Sequence, residues 1–243
     1  MLLGILQNDA SLLACRLAQL RDLLRFDVGK APDAIGAGYV ESGQALLRHM
    51  PGTAPSVTEN LLDLISDVKA SSLLLHARRA TVGSFKDENT HPFRYRNWLF
   101  AHSGTVSGFG DLRRDLLGSL PEYLQRTIGG ETDSEHVFAV FLDELRKLNA
   151  LEDRQPGNEV LSQALAATVQ RVEAFSTSLG AGPSSLNIIA TNGRVMVACR
   201  HGGELELCWA QLGGLESCEL HGLAPDAPET HAQRLPHRNM RSL

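Results

Sequence analysis

Arg78, Asp133, Ser103 and the histidines His76, His91 and His102 are the residues of this chain whose surroundings could do chemistry. Arg78 stands where an apolar run, Leu73-Leu74-Leu75-His76, gives way to a polar stretch holding Thr81 and Gly83. A guanidinium there offers a planar fork of donors that fits a carboxylate, with backbone N–H groups to assist; on a plain surface it would make a salt bridge. Asp133 lies in Thr132-Asp133-Ser134-Glu135, where Thr132-x-x-Glu135 has capping-box spacing and an acidic first turn suits the helix dipole. Its carboxylate could also hold an ammonium group. Together Arg78 and Asp133 would form a receptor for a zwitterionic amino acid, but spacing alone does not bring them side by side.

The bland readings of the other groups are specific. His76, His91 and His102 form no i,i+4 pair and have no carboxylate at ligand spacing, so they read as structural histidines bonded to backbone carbonyls. Ser103, in His102-Ser103-Gly104, lacks the G-x-S-x-G setting of a hydrolase nucleophile. Cys15, Cys199, Cys208 and Cys218 follow no C-x-x-C or Cys/His metal pattern, and reduced, half-buried thiols are expected. His221, His231 and His237 read as tail residues. No metal and no cofactor is implied.

These groups need elements to hold them. Leu2 to Gln7 suits a buried strand, and Asp9 or Ser11 can cap the helix carried by Leu13, Leu17, Leu20 and Leu24. Ile35–Val40 and Gln44–Met50 read as strands paired across a Ser42-Gly43 turn, with Gly36 and Gly38 marking close approach by another segment or a ligand. Ser56-x-x-Glu59 opens a short helix over Leu61–Val68, and Leu73–His76 is a strand. Residues 77–97 read as a long functional loop holding Asn89 and His91. Trp98–Ala101 is a strand, followed by helices over Phe109–Leu117, from Thr132 or Asp133 to Leu148, and over Val160–Phe175. Leu186–Ala190, Arg194–Arg200 and Glu204–Ala210 are expected strands, and the signal fades into a tail from about 213. Strands at both ends with helices between them argue an α+β or layered sandwich fold rather than a doubly wound parallel sheet, in one large domain or two small ones.

With 243 residues, 43% hydrophobic, 21% charged and a net charge of -5, the chain can bury a core and has no basic surface for nucleic acid. Met1-Leu2-Leu3-Gly4-Ile5-Leu6 lacks the basic region of a signal peptide, and no run of about 18 apolar residues occurs, so a cytoplasmic protein with no membrane span is expected.

Taken in order, the blocks resemble the class II glutamine amidotransferases, in particular the standalone group that includes the ergothioneine-pathway γ-glutamyl hydrolases. The resemblance rests on Leu2-Leu3-Gly4-Ile5, Gly36-Ala37-Gly38-Tyr39, His76-Ala77-Arg78-Arg79-Ala80-Thr81-Val82-Gly83, Asn89-Thr90-His91-Pro92-Phe93, Thr132-Asp133-Ser134-Glu135 and the late hairpin Leu186–Arg200. It implies a four-layer αββα N-terminal-nucleophile hydrolase fold in a single domain over residues 1–243. It assigns Arg78 to the glutamine α-carboxylate, Asp133 to its α-ammonium, Thr81 and Gly83 to the pocket wall, and leaves His76, Asn89, His91 and His102 as structural neighbours of the site. The family's oxyanion motif H-N-G reads His102-Ser103-Gly104 here: Gly104 can donate, while Ser103 is shorter than asparagine. Aligned on Leu2-Leu3-Gly4, the family's nucleophilic cysteine falls one place before Met1. The resemblance therefore implies a catalytically degenerate glutamine- or γ-glutamyl-binding protein in a regulatory or assembly role, with a protein partner or a second copy left open. The alternative is an active amide hydrolase or amidotransferase subunit whose native chain begins with an upstream cysteine.

Overall fold

A computed structural model describes residues 1–24, 32–51, 64–78 and 87–243, leaving out the side chains of Leu23, Pro51, Arg78 and Asp87. One antiparallel sheet, in the order β1-β4-β2-β3, contains β1 (Leu2–Leu6), β2 (Ala34–Glu41), β3 (Gln44–Pro51) and β4 (Ser72–Arg78). The second, in the order β5-β6-β7-β8, contains β5 (Phe93–Tyr95), β6 (Trp98–Thr105), β7 (Ser185–Thr191) and β8 (Met196–His201). Its outer face carries α2 (Phe109–Gly118), α3 (Glu122–Gln125), α4 (Asp133–Lys147) and α5 (Asn158–Ser178). The first sheet's outer face carries α1 (Leu13–Gln19) and the segment around Ile65 and Val68. The fold is thus the expected four-layer αββα sandwich. No helix among the described residues is long and apolar enough to cross a membrane.

Alternation sorts the strand residues between layers. On the first sheet, Leu3, Ile5, Ile35, Ala37, Tyr39, Leu73 and Leu75 pack outward beneath α1. On the inner side, Leu2, Ala45, Leu47 and Leu74 meet Leu99, Ala101, Ile189 and Met196 of the second sheet. Gly4, Gly36 and Gly38 lie on that inner face, and each is tight. A Cβ on Gly4 would stand 2.8 Å from Met196 Sδ, one on Gly38 3.1 Å from Leu99, and one on Gly36 1.9 Å from the His91 carbonyl oxygen. The close approach expected of the β2 glycines is therefore made by a chain segment, the His91-Pro92 backbone.

Helix α4 is buried nearly all round, from Ser134 to Leu145, because the sheet covers one side and other helices the rest. Its buried Asp143 and Glu144 are tolerated because Arg171 of α5 donates to both, at 2.7 and 2.9 Å, and to Ser119 as well.

Several expectations change. Residues 77–97 are not one loop: Ala77 and Arg78 finish β4, and Phe93–Tyr95 form β5 in a hairpin with β6. That hairpin was hidden because Arg96, not glycine or asparagine, takes the positive φ of 52° at its turn. Glu204–Ala210 is irregular and not a strand. Gly202 and Gly203, at φ 58° and 66°, turn the chain off the sheet edge, and the Leu205 carbonyl is then bonded by the Arg200 and Asn187 side chains in place of a ladder partner. The tail has structure: α6 (Arg234–Asn239), and reciprocal backbone bonds between Leu6 and Leu243 that add the C-terminus to the end of β1. The proposed helix start at Ser56 lies outside the described residues, as do residues 61–63 of the helix expected over Leu61–Val68.

Gly36→Ala is expected to lower stability by about 1–3 kcal/mol, because backbone rather than a pliable side chain blocks the methyl group. Gly110→Ala, with nothing within 4 Å of the new Cβ on α2, is expected to be neutral or stabilising. Denaturant midpoints of both variants measure the contrast.

Candidate functional site

The first half of the site is the Met1 end of the first sheet. The Met1 ammonium donates to the Ala77 carbonyl at 3.0 Å, and Ala77 N–H donates to the Met1 carbonyl at 3.0 Å. These bonds extend the β1–β4 ladder one residue beyond Leu2–His76. Burial lowers the α-amine below its ordinary pKa of 8.0. The Met1 side chain packs with Leu3 on the outer, helix-covered face. By alternation, the position preceding Met1 falls on the inner face, with Leu2 and Gly4. Arg78 follows Ala77 as the last residue of β4, opposite Ala34. The Arg78 side chain, Thr81 and Gly83 lie outside the described residues.

The second half is the end of β6. Leu99 and Ala101 face the first sheet, so alternation puts the half-buried Ser103 on the same inner face. Gly104 is exposed at the backbone, and a Cβ there would stand 1.8 Å from the Ser185 carbonyl oxygen, so only glycine fits against β7. The next turn is pinned from α4. Val106 N–H donates to Asp133 Oδ2 at 2.8 Å, and Ser134 N–H donates to Asp133 Oδ1 at 2.7 Å. Each carboxylate oxygen thus takes one backbone donor; Oδ1 also meets the Ser134 hydroxyl at 3.1 Å, and Oδ2 keeps lone-pair capacity for another donor. Ser107 N–H donates to Ser184 Oγ at 3.1 Å, fixing the same loop from β7's side.

His102 joins these parts. Its Nε2 lies 3.3 Å from the Ser185 carbonyl and its Nδ1 2.8 Å from Ser134 Oγ. A carbonyl only accepts, so Nε2 of the neutral ring carries the proton, while the single Ser134 hydroxyl proton faces two acceptors, His102 Nδ1 at 2.8 Å and Asp133 Oδ1 at 3.1 Å. Burial pushes the His102 pKa down, opposed by Asp133 and by the bond to Ser185. Nothing in the sequence signals Ser134, Ser184 and Ser185 as partners, because β7 lies some eighty residues from β6. Glu135 also departs from the capping box: Thr132 Oγ1 accepts the Glu135 N–H at 3.3 Å, but the Glu135 carboxylate turns to Gly129 and Gly130 N–H, at 2.9 and 2.7 Å.

Both halves occupy the same end of the sandwich. At the other end, Ser71 Oγ reaches the Gly193 carbonyl at 3.5 Å, and Gly193 presses on Val40. β4 runs from Ser72 to Arg78, and β7 starts at Ser185 and finishes by Gly193. In aligned sheets, the Met1–Arg78 end therefore faces the Gly104–Ser185 end. Asn89 and His91 support this arrangement. Asn89 Oδ1 accepts Glu131 N–H at 3.0 Å, latching its segment to the approach to α4. The His91 ring lies between His76 and Phe93, with centroids 4.3 and 4.5 Å away.

A family model described as glutamine amidotransferases class-II matches residues 2–210. A yeast protein, "Probable glutamine amidotransferase DUG3" of Saccharomyces cerevisiae, is 31% identical over 182 residues, covering 70% of this chain and 51% of its own. The chain spans about half the length, or less, of the curated relatives it matches. Among solved structures, a glutamine aminotransferase class-II domain protein from Silicibacter pomeroyi superposes with TM-score 0.54 at 22% identity, over 86% of this chain and 79% of its own. The structure of "the allosteric regulatory enzyme of purine biosynthesis" gives TM-score 0.50 at 15% identity, over 82% of this chain and 37% of its own. At these identities both likenesses concern the fold.

Asp133→Ala removes the acceptor of two backbone N–H groups and is expected to cost about 1–3 kcal/mol in denaturant unfolding; Asp133→Asn, which keeps one oxygen, is expected to cost less. A pH effect follows from His102 and His136, both held below the ordinary 6.5, chiefly by burial. The unfolded chain takes up protons near 6.5 that the folded chain refuses, so stability is full above that value and falls as pH drops below it. Melting temperatures between neutral and mildly acidic pH check this, and His136→Gln is expected to flatten the profile.

Proposed function

The chain belongs to the class II glutamine amidotransferases, and from that premise we propose that it recognises glutamine or a related γ-glutamyl amino acid at the Met1–Asp133 end of the sandwich. Asp133 takes the α-ammonium, Arg78 the α-carboxylate, and the backbone at the exposed Gly104 the amide oxygen, with Thr81 and Gly83 completing the wall. One observation carries the reading: Asp133 is half-buried at the start of α4, oriented by one backbone N–H on each oxygen and the Ser134 hydroxyl beside Oδ1, with lone-pair capacity left on Oδ2 for a cation. The same bonds are compatible with a plain helix cap, so ligand binding is the deciding property.

We further propose that the role is recognition rather than turnover. The four cysteines of these residues serve elsewhere: Cys15 and Cys218 are buried together with Leu12 and Met240, Cys199 lies on β8 against the helix layer, and Cys208 is exposed. Losing one oxyanion donor, as at Ser103, costs about 10²–10³ in rate, whereas losing the nucleophile of a covalent mechanism costs about 10⁶. A binding component with a regulatory or assembly role, in the cytoplasm, fits that ranking. Isothermal calorimetry with glutamine, glutamate and γ-glutamyl compounds is expected to show binding by the full chain and its loss in Arg78→Ala. Absence of binding, or binding indifferent to Arg78→Ala, overturns the pocket.

A second reading is supported by the strand alternation that puts the position before Met1 on the inner face, toward Ser103. A cysteine there would make the protein an amide hydrolase or amidotransferase subunit, with its own α-amine as base. Intact mass of the native protein with a glutaminase assay separates the two: a chain starting at Met1 without turnover supports recognition, and an N-terminal cysteine with ammonia release establishes the enzyme.

A further inference from the structure

Away from the candidate site, beneath the far end of β1, folding gathers two thiols and two imidazoles. Cys15 of α1 meets Cys218, His221 and His237, all drawn from the segment beyond the family match, and the four donor atoms lie within 4.8 Å of one another. We propose that these residues bind one zinc ion, which fastens the C-terminal segment onto α1.

The distances suit a tetrahedral ion. Bonds of about 2.0–2.3 Å to nitrogen and sulfur imply donor–donor edges of roughly 3.3–3.8 Å. Cys15 Sγ is 3.2 Å from His221 Nδ1, which is 3.3 Å from His237 Nε2. The tautomer of His237 is also set for the task. Its Nδ1–H donates to the Gln233 carbonyl at 2.8 Å, which leaves the Nε2 lone pair aimed into the cluster. Two thiolates with two imidazoles favour zinc over calcium or magnesium, which prefer oxygen donors. Four protein ligands close the coordination sphere, as in a structural site rather than a catalytic one.

The surroundings fit the same role. Leu12, Leu215, Leu223 and Met240 pack around Cys15 and Cys218, His237 is buried and His221 lies at the surface, while Cys15 and Cys218 also line a surface cleft through which an ion can enter. Binding Zn²⁺ replaces both S–H protons, which leave to solvent, and the resulting Zn(Cys⁻)₂(His)₂ unit is neutral. The segment needs such a fastening: α6 is six residues long, and a helix that short has little stability of its own. Cys15 and the other ligands are some two hundred residues apart, which is why no metal pattern is visible in the sequence.

The test uses the full chain, dialysed against Zn²⁺ and then against metal-free buffer, with elemental analysis. About one zinc per chain is expected, lost in Cys218→Ser and in His237→Ala and retained in His231→Ala, since His231 is outside the set. Because a ligand variant could lose metal by misfolding, Co²⁺ loading of the unaltered chain is the second measurement. Thiolate-to-cobalt charge-transfer bands with tetrahedral d–d absorption are expected, abolished by competing Zn²⁺. Retention of less than a tenth of an equivalent of zinc without those cobalt bands overturns the proposal. So does a Cys15–Cys218 disulfide in the native protein, read by mass after thiol alkylation.

Discussion

The inner face of the first sheet is thinned by glycine, and the rest of the structure depends on that. Gly4, Gly36 and Gly38 each sit where a methyl group would strike Met196, the His91 backbone or Leu99. Interiors pack too densely to absorb such additions cheaply. The sheets therefore approach in one arrangement, which sets the Met1–Arg78 end over the Gly104–Ser185 end. The Asn89–Phe93 block enters the same layer, with the His91 carbonyl against Gly36 and its ring against His76.

Electrostatics at the site end follow from the same burial. The start of α4 presents its acidic residue to two backbone donors, its own Ser134 N–H and the Val106 N–H of the loop leaving β6, two residues beyond Gly104. Helix capping and ligand recognition are not competitors here, since a carboxylate with one N–H on each oxygen is both anchored and partly unsatisfied. Below it, His102 is kept neutral by burial and spans Ser134 and Ser185, tying the helix layer to β7. The exposed Gly104 backbone is thereby held on both flanks.

The opposite end is closed by different means. The C-terminal residues pair with Leu6, Asn8 bonds the Asn239 carbonyl at 3.0 Å, and the Cys/His cluster lies under them. A segment with a small apolar cluster of its own is thus held by backbone pairing and side-chain chemistry rather than by core volume.

The sequence by itself determined the layers and the order of parts. Short apolar runs bounded by turn signals marked β1, β2, β3 and β4, the 3.6-residue pattern marked α2, α4 and α5, and the linked blocks around Arg78, Asn89 and Asp133 identified the family. Such signals are local, or are short motifs in order, and both survive being read along a line. Tertiary structure decided what depends on contacts between distant segments: that Gly36 yields to His91 rather than to a ligand, that Asp133 anchors Val106, that His102 rests on Ser185, and that Cys15 meets His237. It also withdrew the strand expected at Glu204–Ala210, because two left-handed glycines turn the chain away from β8. Periodicity reports which face a residue would present, and only packing supplies something for that face to meet.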